Sequence, residues 1–302
     1  MRLWQKSGLF KKNRSLLVAK FANFISERNP NSVLIVDAMN LAFRWKHQNK
    51  LDFEYDYIRT VESLARSYDC EKIIIAADLG NSAMRKADFP EYKQNRKEKF
   101  KDQTEKEKED MEKFFKEYER TLASLGERFL VLRYKGVEAD DLAAYIVKQK
   151  EEFGLGEIWL ISSDRDWDLL VSDTVSRFST VTRKETTLAN WDEFSGLPHE
   201  YYVSLKVLTG DKGDNIGGIP GVGPKRAEEL LKIYGSAFDV YDAIPIDSKY
   251  KYIQAINESG DLILDNYKLM DLLSYCEEAI EFAGHSTEKL QEDVMEYLND
   301  SD

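Results

Sequence analysis

Three short apolar runs, each followed closely by an aspartate, constrain the fold of this 302-residue chain more than any other feature. The runs Val33 to Val36, Ile73 to Ala77 and Ile158 to Ile161 are too short for helices and are rich in Ile and Val, as buried strands are. Helical patterning lies between them, for example in Tyr55 to Tyr68 and Glu138 to Lys150. This alternation predicts an α/β fold with an open parallel sheet flanked by helices.

Acidic side chains follow the predicted strands. Asp37 and Asp78 come directly after the first two runs, and Asp164 comes shortly after the third. Ligands bind beyond the carboxyl ends of such strands, so these aspartates should converge on one side of the sheet. Further acids lie in three other places, namely the start of a predicted helix, the loop that carries Asp164, and a later segment: Glu138, Asp140, Asp141, Asp166, Asp211 and Asp214.

So many carboxylates repel one another unless a cation lies among them. Hard divalent ions such as Mg²⁺ suit oxygen ligands of this kind, whereas zinc is disfavoured because His47, His199 and His285 show no ligand spacing. A helix cap or turn explains any single acid about as well, but it does not explain the whole set. Two ions that clamp a phosphoryl displacement would account for the number of acids.

The charge distribution matters because the net charge is −12, which argues against simple nucleic-acid binding. Basic residues nevertheless concentrate in residues 1–20, in residues 85–101 and at Lys225-Arg226. No apolar run reaches 18 residues, so no membrane span is expected. Cys70 and Cys276 indicate neither a disulfide framework nor a thiolate zinc site, and an intracellular setting is expected.

Two segments could contact phosphates. In the first, Tyr92, Lys93 and Arg96 place an aromatic ring and two cations within two helical turns, which suits stacking on a base with phosphate contact, although packing alone is an alternative. In the second, the glycine cluster of residues 217–223 exposes backbone N–H groups before a helix that begins near Pro224. A P-loop is disfavoured because Pro224 takes the lysine position and no predicted strand precedes the cluster, and a plain turn remains the alternative.

Five motifs, taken together, resemble the flap endonuclease family, and more specifically the stand-alone 5′ nucleases of T5-like bacteriophages. The 5′ nuclease domain of bacterial DNA polymerase I is a more distant likeness. The match extends from about Val33 to about Cys276. The motifs are Val36-Asp37-Ala38-Met39-Asn40, Pro90-Glu91-Tyr92-Lys93, Gly136-Val137-Glu138-Ala139-Asp140-Asp141, Ser163-Asp164-Arg165-Asp166-Trp167-Asp168 and Gly210-Asp211-Lys212-Gly213-Asp214-Asn215.

The resemblance implies an architecture in three parts. A basic segment, residues 1–31, precedes a PIN-like nuclease core at 32–200 with a parallel twisted sheet and a helical arch at about 84–120. A helical DNA-binding region at 201–302 would contain a helix-two-turn-helix at about 205–235. Arg165 stands where the family often has glycine, which places a cation beside the second metal region.

The resemblance also implies roles for individual residues. Asp37, Asp78, Glu138, Asp140 and Asp141 would hold the catalytic metal, and Asp164, Asp166, Asp211 and Asp214 a second one, as Mg²⁺ or with Mn²⁺ in its place. Tyr92 would stack on a base while Lys93 and Arg96 stabilise the scissile phosphate. Other phosphate contacts would come from Arg44 and Lys206. The duplex-binding turn, which can also hold K⁺, would comprise Gly221, Gly223, Lys225 and Arg226.

The expected function is therefore a structure-specific 5′ nuclease with flap endonuclease and 5′-3′ exonuclease activity in DNA replication. Its substrate would be branched or flapped DNA with a 5′ single strand, and a monomer acting in the cytoplasm, the host's for a phage protein, is expected. A DNA-binding protein without catalysis and a nuclease that removes RNA/DNA primers are the alternatives. An aspartyl-phosphate phosphatase is disfavoured because Met39 takes the position of its second aspartate.

Overall fold

A sheet of six strands forms the centre of the computed structural model, which describes residues 31–96 and 103–300. The strands are β1 (Val33–Asp37), β2 (Lys72–Ala76), β3 (Leu130–Leu132), β4 (Ile158–Ile161), β5 (Val175–Phe178) and β6 (Glu185–Thr186). Their order is β3-β2-β1-β4-β5-β6, with β1 to β5 parallel and β6 antiparallel. The prediction of a parallel α/β sheet is confirmed, while the expectation for the basic N-terminal segment lies outside the described residues.

The three predicted strands are the most buried ones. Strand β1 lies between β2 and β4, with Val36 opposite Ile75 on one side and Ile161 on the other. Its four apolar residues are fully buried, because helices cover both faces of the sheet. Continuous apolar runs are what such strands require.

The flanking helices form two layers. Helices α1 (Ala38–Lys46) and α2 (Glu54–Ser67) pack on one face, and α5 (Ala139–Lys148) packs on the other together with the C-terminal helices α11 (Leu272–Phe282) and α12 (Thr287–Asn299). Helix α5 begins directly beyond the carboxyl ends of the strands. It therefore places its acidic first turn beside the aspartates of β1 and β2.

The predicted arch segment leaves the core after β2. Helix α3 (Ala83–Asp88) leads into it, and α4 (Glu105–Gly126) returns from it after a capping box formed by Thr104 and Glu107. The buried residues of α4 pack on the same face of the sheet as α1 and α2. The middle of the arch, residues 97–102, is outside the described residues.

The C-terminal region is helical, as predicted, but a small hairpin interrupts it. The elements are α6 (Tyr202–Thr209), β7 (Gly210–Asp211), β8 (Ile216–Gly217), α7 (Pro224–Tyr234), α8 (Ala237–Asp242), α9 (Lys251–Asn257) and α10 (Gly260–Met270). Gly210 has a φ of +74°, and a Cβ there would lie 2.3 Å from the Gly218 nitrogen. Only glycine fits this close approach. Within the part of the chain described, no helix has the length and apolar character needed to cross a bilayer.

Candidate active site

The carboxyl ends of β1, β2 and β4 bring three of the predicted acids together. Asp37 ends β1, and its Oδ2 accepts a hydrogen bond of 2.7 Å from the Ser162 hydroxyl. The same hydroxyl accepts a 3.0 Å bond from the backbone nitrogen of Asp164, so Ser162 joins the two aspartates. Asp78, beyond β2, accepts a 2.8 Å bond from the backbone nitrogen of Ala139.

The first turn of α5 adds Glu138, Asp140 and Asp141 to this group. Asp140 Oδ1 accepts a 2.6 Å hydrogen bond from the indole nitrogen of Trp167, which lies in the 3₁₀ helix Arg165–Leu170. Trp167 is fully buried, so its N–H holds this acid in a fixed orientation. We call the nine predicted carboxylates together the acidic centre.

The innermost carboxylates are electrostatically unfavourable as anions. Burial, reinforced by repulsion from Asp78, raises the pKa of Asp37 to about 7. Burial likewise raises the pKa of Asp78 and, against the attraction of Lys93, that of Asp140, which Asp164 and Asp37 also repel. Side chains of this kind gain most from a hard divalent cation. Among residues 31–96 and 103–300, no three Asp, Glu, His or Cys side chains stand close enough to form a ready-made metal site.

Two cations, Lys93 and Arg96, neutralise one side of the acidic centre. We call the segment that carries them the arch base. Lys93 Nζ lies 2.8 Å from Glu138 Oε1 and 3.6 Å from Asp214, while Arg96 Nη2 lies 2.7 Å from Asp214 Oδ1. Burial opposes the charge of Lys93, but Glu138 and Asp214 raise its pKa. The backbone nitrogen of Lys93 also donates to the carbonyl of Asp214 at 2.9 Å. The arch base is thus fastened to the loop of the β7–β8 hairpin.

Tyr92 does not have the position that stacking requires. Its side chain is 2% exposed and packs with Ile216, Leu269 and Met270. Its hydroxyl donates to Glu138 Oε2 at 2.7 Å. Stacking on a base needs an exposed ring face, so the expected role of Tyr92 does not fit this arrangement.

Asp141 also departs from its expected role as a metal ligand. It is fully buried, and the guanidinium of Arg85 bonds both of its carboxylate oxygens at 2.9 and 2.7 Å. Arg85 is itself 2% exposed and donates to the carbonyl of Leu269 at 2.9 Å. Sequence reasoning missed this arginine, because no local pattern separates it from the other cations of residues 85–101.

The outer carboxylates have a cation of their own. Lys206 Nζ bonds to Asp166 Oδ1 and, at 2.7 Å, to Asp211 Oδ2. Burial raises the pKa of Asp166 to about 6 although Lys206 opposes the shift, while Lys206 overcomes burial and lowers the pKa of Asp211. The ammonium of Lys206 is therefore engaged by carboxylates and is not free for the expected phosphate contact.

The remaining predicted DNA contacts lie outside the acidic centre. In the glycine turn, Gly223 caps α7, and Arg226 folds back to donate to the carbonyl of Gly221 at 2.6 Å, whereas Lys225 is exposed. Arg44, on α1, lines a cleft of about 420 Å³ with Arg59 and Arg183. The structure therefore presents basic residues on separate surfaces around an acidic centre.

A parallel sheet with carboxylates at its strand ends, beside a basic arch, is typical of a phosphodiester-cleaving nuclease. Two family models match the chain: the 5′-3′ exonuclease N-terminal resolvase-like domain over residues 32–195, and the 5′-3′ exonuclease C-terminal SAM fold over residues 197–293. The flap endonuclease of Escherichia phage T5 is 41% identical over 91% of this chain and 94% of its own length. The 5′-3′ exonuclease of Buchnera aphidicola is 29% identical over 77% of each.

Solved structures of T5 nucleases are also similar to this chain. The T5 5′-exonuclease with bound zinc ions has a TM-score of 0.84 and 41% identity, and covers 89% of this chain and all of its own. A T5 flap endonuclease variant in a pseudo-enzyme–product complex with DNA and metal ions has a TM-score of 0.86, 40% identity and the same coverage. The chain belongs to the 5′-3′ exonuclease family that includes the flap endonucleases, and it is a metal-dependent 5′ nuclease.

Proposed function

We propose that this nuclease cuts DNA that carries a 5′ single strand next to a duplex, near the junction, and leaves a 5′-phosphate. The contact between the arch base and the acidic centre carries this proposal. Lys93 and Arg96, at the start of the arch, form salt bridges with Glu138 and Asp214. A DNA strand that the arch holds would therefore lie next to the carboxylates. The T5 relative is named a flap endonuclease, which supports the same substrate class.

The carboxylates that surround the ends of β1 and β2 fit a divalent cation by charge and donor type. Asp37, Asp78, Glu138 and Asp140 would hold it, and Asp164, Asp166, Asp211 and Asp214 would form the second metal region. Mg²⁺, with Mn²⁺ as a substitute, would supply an activated water and neutralise charge on the phosphate. Lys93 and Arg96 would exchange their carboxylate partners for phosphate oxygens, which bind Lys and Arg by the same charge-assisted hydrogen bonds.

Binding of the duplex would fall to the glycine turn and to the arginine cleft. Exposed Lys225 stands at the start of α7, where backbone N–H groups and the helix dipole favour a phosphate. K⁺ at this turn, RNA/DNA primers as further substrates, a monomeric state and action in the cytoplasm belong to the same proposal. So does a boundary between nuclease core and helical region at residues 200 and 201.

The test compares 5′-labelled substrates: a 5′ flap on duplex DNA, a 3′ flap and plain duplex, each with Mg²⁺ and with EDTA. Asp37→Ala removes an acid of the centre, and Asp247→Ala, in an exposed loop, is the control for loss of one negative charge. We expect Mg²⁺-dependent cutting near the junction of the 5′ flap, lost in Asp37→Ala and kept in Asp247→Ala. Equal cutting of all three substrates, or full activity of Asp37→Ala, would contradict the proposal.

A further inference from the structure

Helix α4 carries a buried tyrosine, Tyr118, whose hydroxyl is not hydrogen-bonded within the described part of the fold. Tyr118 is 1% exposed, and its hydroxyl has no hydrogen-bond partner among the residues described. The ring itself is well placed, because it stacks on Phe114 with 6.4 Å between the centroids. A buried hydroxyl without a partner is costly, so a native chain that keeps one calls for an explanation.

The turn of α4 that carries Tyr118 lies beside the acidic centre. The next residue, Glu119, accepts two 2.7 Å hydrogen bonds from Arg133, whose Nε donates to the backbone carbonyl of Asp78 at 3.2 Å. Arg133 thereby holds this turn of α4 against Asp78. Tyr118 also belongs to the same apolar cluster as Val36, Ala38 and Ala77, which flank Asp37 and Asp78 along the chain. Burial raises the pKa of Tyr118, and the negative charges of Asp78 and Asp37 raise it further.

A neighbouring tyrosine shows the difference between a satisfied and an unsatisfied hydroxyl. Tyr57 is fully buried, and its hydroxyl donates to the carbonyl of Ala38, the residue after Asp37, at 3.1 Å. Tyr57 therefore supports the start of α1. Tyr118 has no such structural partner, although its turn of α4 is held beside Asp78, one of the proposed metal-binding carboxylates.

We propose that Tyr118 is a positioning residue for the acidic centre. Its hydroxyl donates a hydrogen bond to a carboxylate oxygen of Asp37 or Asp78 when these residues bind a divalent cation. The inference rests on the proposed metal-binding role of these aspartates. A donor at this point fixes the orientation of a carboxylate whose other oxygen serves the ion. Because Tyr118 belongs to α4, the second helix of the arch also becomes part of the support of the centre.

Tyr118→Phe removes the hydroxyl and keeps the ring. In the metal-free protein we expect thermal stability that is unchanged or higher, because an unsatisfied buried group is lost. The affinity for Mn²⁺, measured by electron paramagnetic resonance of the free ion, should fall about three- to tenfold, as one lost hydrogen bond predicts. Tyr145→Phe is the matched control, since the buried Tyr145 hydroxyl donates to the carbonyl of Thr287 at 3.0 Å. It should lose stability and keep its Mn²⁺ affinity.

Either of two results would overturn the inference. Wild-type Mn²⁺ affinity in Tyr118→Phe would show that the hydroxyl does not serve the centre. A loss of metal-free stability as large as that of Tyr145→Phe would show that it is already bonded within the fold. Asp37→Ala tests separately the proposed metal-binding role of the aspartates. If this variant bound Mn²⁺ with wild-type affinity, Asp37 would not be a metal ligand, and that result would contradict the proposed function and not only the role of Tyr118.

Discussion

Single residues decide how the charges of the acidic centre are balanced, and Arg85 is the clearest case. It is 2% exposed and bonds both oxygens of the fully buried Asp141. Arg85→Met would leave that carboxylate buried without a counter-ion. We expect a loss of about 3–5 kcal/mol in the free energy of unfolding, measured with urea.

The double variant Arg85→Met with Asp141→Asn separates charge from shape. Removing the stranded carboxylate should recover a large part of the lost stability, since the remaining groups are neutral. An Arg85→Met variant as stable as the wild type would show that Asp141 finds another cation. It would also reopen the role of Asp141 as a metal ligand.

Asp37 makes the stability of the metal-free protein depend on pH. Its pKa is raised from 3.8 to about 7, so between these values the folded protein binds more protons than the unfolded chain. Stability should therefore fall as pH rises from about 4 to about 7, and should not depend on this group below that window. Thermal unfolding of Asp37→Asn should show a smaller fall. A profile identical to that of the wild type would contradict the assignment.

At the scale of elements, the β7–β8 hairpin positions Asp211 and Asp214. Its close crossing needs Gly210, where a Cβ would lie 2.3 Å from the Gly218 nitrogen, whereas a Cβ at Gly217 would meet nothing within 4 Å. We expect Gly210→Ala to cost roughly 2 kcal/mol or more and to impair cleavage. Gly217→Ala, the control in the same hairpin, should change both much less. Equal effects in unfolding and cleavage assays would contradict this account.

The elements that the sequence predicts are those whose pattern is local. Strands β1, β2 and β4 are recognisable because burial on both faces demands continuous apolar runs. Strand β5 is not, since Ser176 and Arg177 interrupt its pattern. Arg177 is buried there because Asp168, Ser162 and Thr186, all from other segments, bond its guanidinium.

The residues of the site likewise divide into those that the sequence predicts and those that only the fold reveals. The acids stand out because they follow strands or crowd one helical turn, and Lys93 and Arg96 stand out by their motif. Arg85 and Lys206 pair with particular carboxylates, and that pairing depends on which segments the fold brings together. The position of Tyr118 depends likewise on how α4 packs beside Asp78.

At the scale of the whole molecule, cleavage and DNA binding are assigned to different parts of the protein: cleavage to the acidic centre and duplex binding to the glycine turn. Lys93 belongs to the acidic centre. Its ammonium is 2.8 Å from Glu138, inside the acidic centre. We expect Lys93→Ala to lower the single-turnover cleavage rate by a factor on the order of 10² to 10³, because a cation that stabilises the developing charge is lost. Its affinity for flap DNA should change little. A large loss of affinity at a normal rate would contradict this division.

Lys225 belongs to the part assigned to duplex binding, since it is exposed at the start of α7 and outside the acidic centre. Lys225→Ala should weaken binding of flap DNA in Ca²⁺ or EDTA and make its salt dependence shallower by about one unit of log–log slope, as loss of one phosphate contact predicts. Lys232→Ala, on the last turn of the same helix, is the control of equal charge. Cleavage of saturated complexes should stay at the wild-type rate, because Lys225 makes no hydrogen bond or salt bridge to the acidic centre within residues 31–96 and 103–300. If both variants showed the same slope, the contact would be a general effect of charge, and the glycine turn would have no special part in holding the duplex.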